Sequence, residues 1–185
     1  GREISSVFDY QDKHIRPICD DIGVEFVLVN KNDWTDADIK FKPDSETVLP
    51  AFFTEYEGRK DGVCGKQPGF CSDKWKKDPI HRYLNDRFGE RELSARGVDM
   101  WIGMSFDEPR RVKYPDGKWQ KRYPLFEAQI MREQAIAIVQ EYGLPEPPRS
   151  ACWMCPNRHD DEWQQMKQNH PQDFEAAVAF EKKLQ

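Results

Sequence analysis

The sequence predicts an α/β protein with a four-cysteine metal centre. An apolar helical pattern over residues 5–22 ends at Gly23, and a short apolar run rich in β-branched residues follows from Val24 to Val29. Helix, glycine and buried strand in this order are typical of a parallel α/β unit. In addition, four of the five cysteines form two pairs, and paired cysteines are common ligands of zinc and iron–sulfur centres.

Each further element is predicted from its own pattern. Pro17 indicates a kink or boundary in the first helix, and residues 30–63 form an irregular loop of a length that is usually functional or mobile. Residues 78–88 predict a helix with Asp78 as its N-cap and Pro79 in its first turn. The other predicted elements are a buried strand over Asp99–Ser105, a hairpin turn at Asp116-Gly117, and helices over 127–142, 160–168 and 171–184.

A chain of 185 residues is long enough for one domain with a real core. We expect a single domain over residues 1–185, in three parts. Residues 1–63 form a partial α/β half with the long loop, 64–158 contain the cysteines and the substrate segment, and 159–185 form the C-terminal helices. A homodimer is one expected assembly.

Composition bears on whether the protein binds nucleic acid, crosses a membrane or is secreted. The net charge of -5 argues against a generic nucleic-acid coat, although basic runs at 74–77, 110–113 and 118–122 leave a local basic groove open beside the alternative of a solvated face. No apolar run approaches the ~20 residues of a membrane helix, and no signal peptide is evident. An odd number of cysteines without a secreted framework predicts a cytoplasmic protein, with Cys19 as a small buried hydrophobe.

The cysteine spacing predicts a metal centre and leaves its metal open. Cys152 and Cys155 form a C-x2-C pair, in which a tight turn brings both sulfurs to one side. Cys64 and Cys71 are far earlier in the chain, so the fold has to bring the two pairs together. Zinc and an iron–sulfur cluster both suit four thiolates. His159 is an alternative fourth ligand if Cys64 is not one.

Three blocks of sequence resemble a known family. They are CSDKWKKDPIHRYL from Cys71, WIGMSFDEPRR from Trp101, and YPLFEAQIMREQAIAIVQEYGLPEPPRSACWMCP from Tyr123. Together and in this order they resemble the phosphoadenosine-phosphosulfate (PAPS) reductase superfamily. They are most similar to its reductase-like branch, which includes the relative that supplies sulfur for DNA phosphorothioation. The resemblance runs from about residue 3 to the end.

The resemblance implies a fold and a cofactor. The fold is an adenine-nucleotide-α-hydrolase-like, Rossmann-like parallel sheet, and many members hold a [4Fe–4S] cluster on four cysteines. Cys71, Cys152 and Cys155 correspond to cluster positions. Cys64 would complete the set, although reductases with a cluster use adjacent cysteines and the first pair here is spread as C-x6-C.

The resemblance also implies residues for the substrate. Lys76 corresponds to a cationic position near the cluster and nucleotide. Arg110 and Arg111 lie in the segment that meets the phosphate or sulfate of the substrate, a task that suits guanidinium groups. Apart from the resemblance, the residue types of Asp107 and Glu108 suit an acid/base or metal-binding pair. The alternative is that Asp107 caps a turn before Pro109 and Glu108 pairs with Arg111.

Two departures from the family pattern qualify the function. The Ser-Gly-Gly-type nucleotide loop (PP loop) and the strand before it are absent, so we expect a longer parent in which that first unit precedes residue 1. The catalytic tail cysteine of true sulfonucleotide reductases is absent as well, since the chain ends EKKLQ. Sulfur transfer is therefore easier to support than thiolate attack on a sulfonucleotide.

The resulting hypothesis is a PAPS reductase-like enzyme of the N-type ATP pyrophosphatase superfamily. It would use an iron–sulfur cluster and ATP for sulfur or adenylyl transfer, with an adenine nucleotide or sulfonucleotide, a nucleic acid, or a sulfur-donor protein as partners. One alternative is a true PAPS or adenosine-phosphosulfate reductase whose tail cysteine lies outside this sequence. Another is a non-enzymatic binding module stapled by Zn²⁺.

Overall fold

A computed structural model of the chain shows a mixed helix and strand protein. It describes residues 3–29, 53–54, 65–66, 72–115, 117–155 and 157–184. By compactness the chain divides into two units, one made of residues 1–81 and 148–185 and the other of residues 82–147, and the division falls inside the helix Asp78–Phe88. We describe each unit by itself.

The first unit begins with a helical segment that matches its prediction. Helix α1 (Ser5–Tyr10) continues through a π-helical turn (Gln11–Ile15) into helix α2 (Arg16–Asp21). Pro17 stands in the first turn of α2, directly after the wider turn, because a proline has no N–H for an α-helical hydrogen bond. Gly23 has φ +68°, a conformation that glycine adopts readily.

The buried strand predicted from Val24 to Val29 is wrong. This segment has no regular secondary structure, and the side chains of Val24 and Val27 are 53% and 40% exposed. Within the described part of the chain no strand pairs with it, so its backbone has no ladder to join. The β-branched pattern therefore does not mark a core strand here.

A second helical segment begins earlier than predicted. A π-helix (Ser72–Lys77) leads directly into helix α3 (Asp78–Phe88). Asp78 is therefore inside a continuous helical segment, and its prediction as an N-cap is wrong. The prediction of a helix over 78–88 is confirmed. Two short strands, β1 (Phe53–Thr54) and β2 (Gly65–Lys66), pair antiparallel.

Two C-terminal helices complete the first unit and agree with the predictions. They are α7 (Asp160–Asn169) and α8 (Pro171–Leu184). Asp173 of α8 accepts hydrogen bonds from the backbone N and the Oγ of Ser5, at 2.9 and 2.8 Å, which fixes α8 to the start of α1. One core cluster lies between these elements and consists of Ile4, Val7, Met166 and Ala177.

The second unit contains a small parallel sheet. After helix α4 (Glu90–Arg96), strand β3 (Val98–Trp101) pairs with strand β4 (Trp119–Arg122), with Val98 opposite Trp119. A parallel pair is compatible with the α/β class. The finer assignment to an adenine-nucleotide-α-hydrolase-like sheet remains a prediction.

Three predictions for the second unit need correction. The predicted strand Asp99–Ser105 is shorter, and Trp101 at its end is 76% exposed. The predicted hairpin is wrong, because β4 pairs with β3 in parallel and residues 112–115 are not a strand. The helix predicted over 127–142 begins later, as α6 (Arg132–Glu141), and a separate short helix, α5 (Pro124–Glu127), precedes it; Gln129 between them has φ +57°.

None of the helices that the structure describes combines the length and the apolar character needed to cross a bilayer.

An ion pair fixes the end of β4 to α5. The guanidinium of Arg122 donates two hydrogen bonds to the carboxylate of Glu127, at 3.1 and 2.9 Å, and the backbone N of Tyr123 donates a third at 3.0 Å. These bonds favour the ionised carboxylate, and the hydrogen bond from Arg122 is the largest cause. They lower the pKa of Glu127 to about 2 from its usual 4.5.

We predict that this pair makes stability depend on pH in the acid range. A carboxyl whose pKa is lowered by folding stabilises the fold above its unfolded pKa, near 4.5, and the contribution is lost as the pH falls through about 2. Glu127→Gln should therefore flatten the acid side of a plot of urea midpoint against pH. Glu133→Gln on α6 is the control, and an unchanged acid slope in Glu127→Gln would contradict the assignment.

Candidate metal centre

The Cys152–Cys155 segment forms one tight turn. The backbone N of Cys155 donates a hydrogen bond to the carbonyl of Cys152 at 3.1 Å. Both cysteines are half-buried. The C-x2-C spacing predicts that a turn of this kind presents two sulfurs to one metal ion.

The residues between the two cysteines anchor the turn in the core. Met154 is 2% exposed and packs in a second core cluster with Phe180 of α8. Trp153 stands edge-on to the Phe180 ring, with 5.9 Å between ring centroids. The two side chains that lie between the cysteines in sequence therefore pack the turn against α8.

Glu3 connects the turn to the π-helix Ser72–Lys77. Its backbone forms an antiparallel bridge with Cys152, and the next residue, Ile4, donates to the carbonyl of Ala151 at 3.2 Å. Its carboxylate accepts a hydrogen bond from Lys76 Nζ at 2.9 Å and another from Ser150 Oγ at 3.0 Å. The Glu3 side chain is only 18% exposed, so solvent screens this network less than a surface pair.

Trp75 adds an apolar contact between the same two segments. It packs against the cluster of Met154 and Phe180, as does the side chain of Cys152. Residues 75 and 76 therefore both reach the cysteine turn, one through packing and the other through Glu3. The predicted ligands Cys64 and Cys71 lie outside the described residues.

Arg158 is a functional candidate that the sequence patterns did not single out. Its Nη2 donates to the carbonyl of Cys152 at 3.1 Å, and its guanidinium lies 5.6 Å from the ring centroid of Trp163. Burial lowers its pKa, while the charges of Cys155, Cys152 and Glu3 act in the opposite direction. The sequence signal was a basic residue two positions after Pro156, which ends the C-x2-C-P run.

Of the four predicted cysteine ligands, the structure describes two, Cys152 and Cys155. In the part of the chain that the structure describes, no three residues of the types His, Cys, Asp or Glu come together as metal ligands. His159 begins α7, where its backbone N donates to Glu162 Oε2 at 2.9 Å. Its role as an alternative ligand stays a prediction, as does the four-cysteine set.

The predicted acid/base pair belongs to the second unit and has structural partners. Asp107 Oδ1 accepts a hydrogen bond from the backbone N of Arg132 at 3.1 Å, at the first residue of α6. Hydrogen bonds, the largest from Ser105, lower the pKa of Asp107. Glu108 forms an ion pair with Arg111. The pair of Glu108 with Arg111 agrees with the structural alternative, whereas Asp107 binds the start of α6. A catalytic role for either carboxylate stays a prediction.

Several basic residues of the predicted groove are already paired with acids. Arg111 pairs with Glu108 at the 3₁₀-turn Pro109–Arg111, while Arg110 beside it is exposed. In the last basic run, the Nζ of Lys118 is 3.2 Å from both Asn85 Oδ1 and Glu90 Oε1. Internal pairing of this kind reduces the charge available to a nucleic acid.

Comparisons of the chain with protein-family models, with curated proteins and with solved structures gave no match. The resemblance to PAPS reductases therefore rests on the three sequence blocks alone.

We predict that the cysteine turn depends on its buried methionine. Met154→Ala should lower the free energy of unfolding by about 2–5 kcal/mol, because it leaves a cavity beneath the turn. Met131→Ala is a matched control, since Met131 is 47% exposed and its loss should cost no more than about 0.5 kcal/mol. Urea unfolding measures both changes, and equal losses would show that Met154 does not anchor the turn.

Proposed function

We propose that this chain is a PAPS reductase-like protein whose four paired cysteines hold one metal centre, with a [4Fe–4S] cluster as the expected occupant. The observation that carries the proposal is the packing of Trp75 against the cluster of Met154 and Phe180, together with the bond of Lys76 to Glu3, which bridges Cys152. It links the segment that directly follows Cys71 to the turn that contains the other cysteine pair.

The position of Cys71 in the sequence supports a place for it beside this turn. Cys71 directly precedes the helical segment Ser72–Lys77, which contains Trp75 and Lys76. Trp75 and Cys152 both pack against the cluster of Met154 and Phe180. We therefore infer that Cys71 is the third thiolate of the centre, and that Cys64, in the same stretch of sequence, is the fourth.

The surroundings of the turn suit a centre with excess negative charge. Four thiolates outnumber the positive charge of Zn²⁺ or of an oxidised cluster, and such a centre is stabilised by nearby donors and cations. Arg158 stands at the turn, and Asn157 Nδ2 lies 3.8 Å from Cys155 Sγ. Lys76 reaches the same region through Glu3.

The chemistry follows from the resemblance and is part of the proposal. A bound cluster would supply electrons or position a sulfur-containing substrate through its charge. Lys76 would contribute a cation beside it, and Arg110 would bind a phosphate or sulfate oxygen. The substrate class is an adenine nucleotide or sulfonucleotide, with sulfur or adenylyl transfer as the reaction.

A zinc-stapled binding module is the second candidate. The pairing of Glu108 with Arg111, and of Asp107 with the start of α6, favours it, because groups expected to act on a substrate have structural partners instead. A structural zinc also suits a turn that is fixed to the core through Met154.

Anaerobic purification with metal analysis tests the proposal. We predict a brown protein with about four iron and four sulfide per chain. Cys71→Ala and Cys152→Ala should each lose the iron and the visible absorbance. Cys19→Ala is the matched control, because Cys19 lies in α2 outside both pairs, and it should keep both.

The outcomes separate the two candidates. One tightly held zinc per chain, lost in the same variants, would favour the binding module over the enzyme. Retention of the metal in Cys71→Ala would contradict the four-cysteine centre. A chain without bound iron or zinc would overturn both candidates.

A further inference from the structure

Arg158 occupies a position that its surroundings explain only in part. It is half-buried, three residues after Cys155 and two before the start of α7. Burial of a charged guanidinium is costly unless it is paired and hydrogen-bonded. Its Nη2 binds the Cys152 carbonyl, but its Nε is buried and no described residue accepts a hydrogen bond from it.

The negative groups that face this guanidinium are those of the cysteine turn. Cys155, Cys152 and Glu3 interact favourably with its charge, and Arg149 interacts unfavourably. Glu3 is already occupied by Lys76 and Ser150. Cys152 and Cys155 would be thiolates when they bind a metal, and the Arg158 guanidinium, held at the Cys152 carbonyl, would lie beside their negative charge.

The aromatic contact holds the guanidinium in place. Arg158 lies over the ring of Trp163 in α7, and Trp163 packs in turn against the core cluster of Met166 and Ala177. A guanidinium stacked on a fixed ring is well placed to donate in a set direction. Arg149, the other arginine near the turn, is instead paired with Glu162.

We propose that Arg158 is the positioning residue of the metal centre, holding the Cys152 carbonyl and balancing the charge of the Cys152 and Cys155 thiolates. This inference rests on the proposed function, and it assigns to Arg158 the control of metal affinity at the turn. Residues that orient metal ligands in this way typically change affinity about 10–100-fold when replaced.

A Co²⁺ titration of the metal-free full-length chain tests the role. Binding is followed by the thiolate-to-cobalt charge-transfer absorbance, which reports on sulfur ligation and not on enzyme activity. Arg158→Gln keeps a hydrogen-bond donor but removes the charge, and it should bind Co²⁺ about 10-fold more weakly or worse. Arg158→Lys keeps the charge and should have intermediate affinity. Arg149→Gln removes a neighbouring charge and should bind like the wild type.

The result is decisive in each direction. Wild-type affinity in Arg158→Gln, or equal weakening in Arg149→Gln, would overturn the role of Arg158 while leaving the four-cysteine centre intact. A wild-type chain without the charge-transfer band would overturn the proposed metal centre itself, and this inference with it.

Far-UV circular dichroism checks that each variant is folded. If Arg158→Gln is unfolded, Arg158→Lys is compared with Arg149→Lys, and weaker binding by Arg158→Lys alone supports the role.

Discussion

The carboxylate of Glu3 joins three parts of the chain that are far apart in sequence. It accepts hydrogen bonds from Lys76 and Ser150, and its backbone bridges Cys152. These contacts, with the packing of Trp75, fix the π-helical segment against the cysteine turn. The candidate centre depends on this arrangement, because a four-thiolate site needs two distant cysteine pairs in one place.

Both units contain ion pairs, such as Arg122 with Glu127 in the second unit and Arg149 with Glu162 in the first. The first unit also has a half-buried arginine, Arg158, whose guanidinium donates to the Cys152 carbonyl at the cysteine turn. A buried charge next to metal-binding groups is typical of functional sites, so the first unit is the stronger location for chemistry.

The sequence predicted correctly those elements that depend on interactions between residues close together in the chain. The helix over 5–22, with its boundary near Pro17, and the C-x2-C turn depend on neighbours within a few residues, and their positions were found. The strand at Val24–Val29 failed because an apolar, β-branched run does not reveal whether a partner strand exists. The hairpin at Gly117 failed for the same reason, since strand pairing is decided by the fold. Arg158 was not singled out because its contacts with the Cys152 carbonyl and the Trp163 ring exist only in the folded chain.

X-ray absorption at the metal edge of the purified protein tests the central claim most directly. The claim is that the contacts of Glu3 and Trp75 bring the pair Cys64 and Cys71 to the turn of Cys152 and Cys155. The account predicts a first shell made of sulfur alone, at about 2.3 Å whether the metal is zinc or clustered iron. A shell in which nitrogen or oxygen replaces half of the sulfur would contradict it, because the metal would then be held by the Cys152–Cys155 turn without the earlier pair.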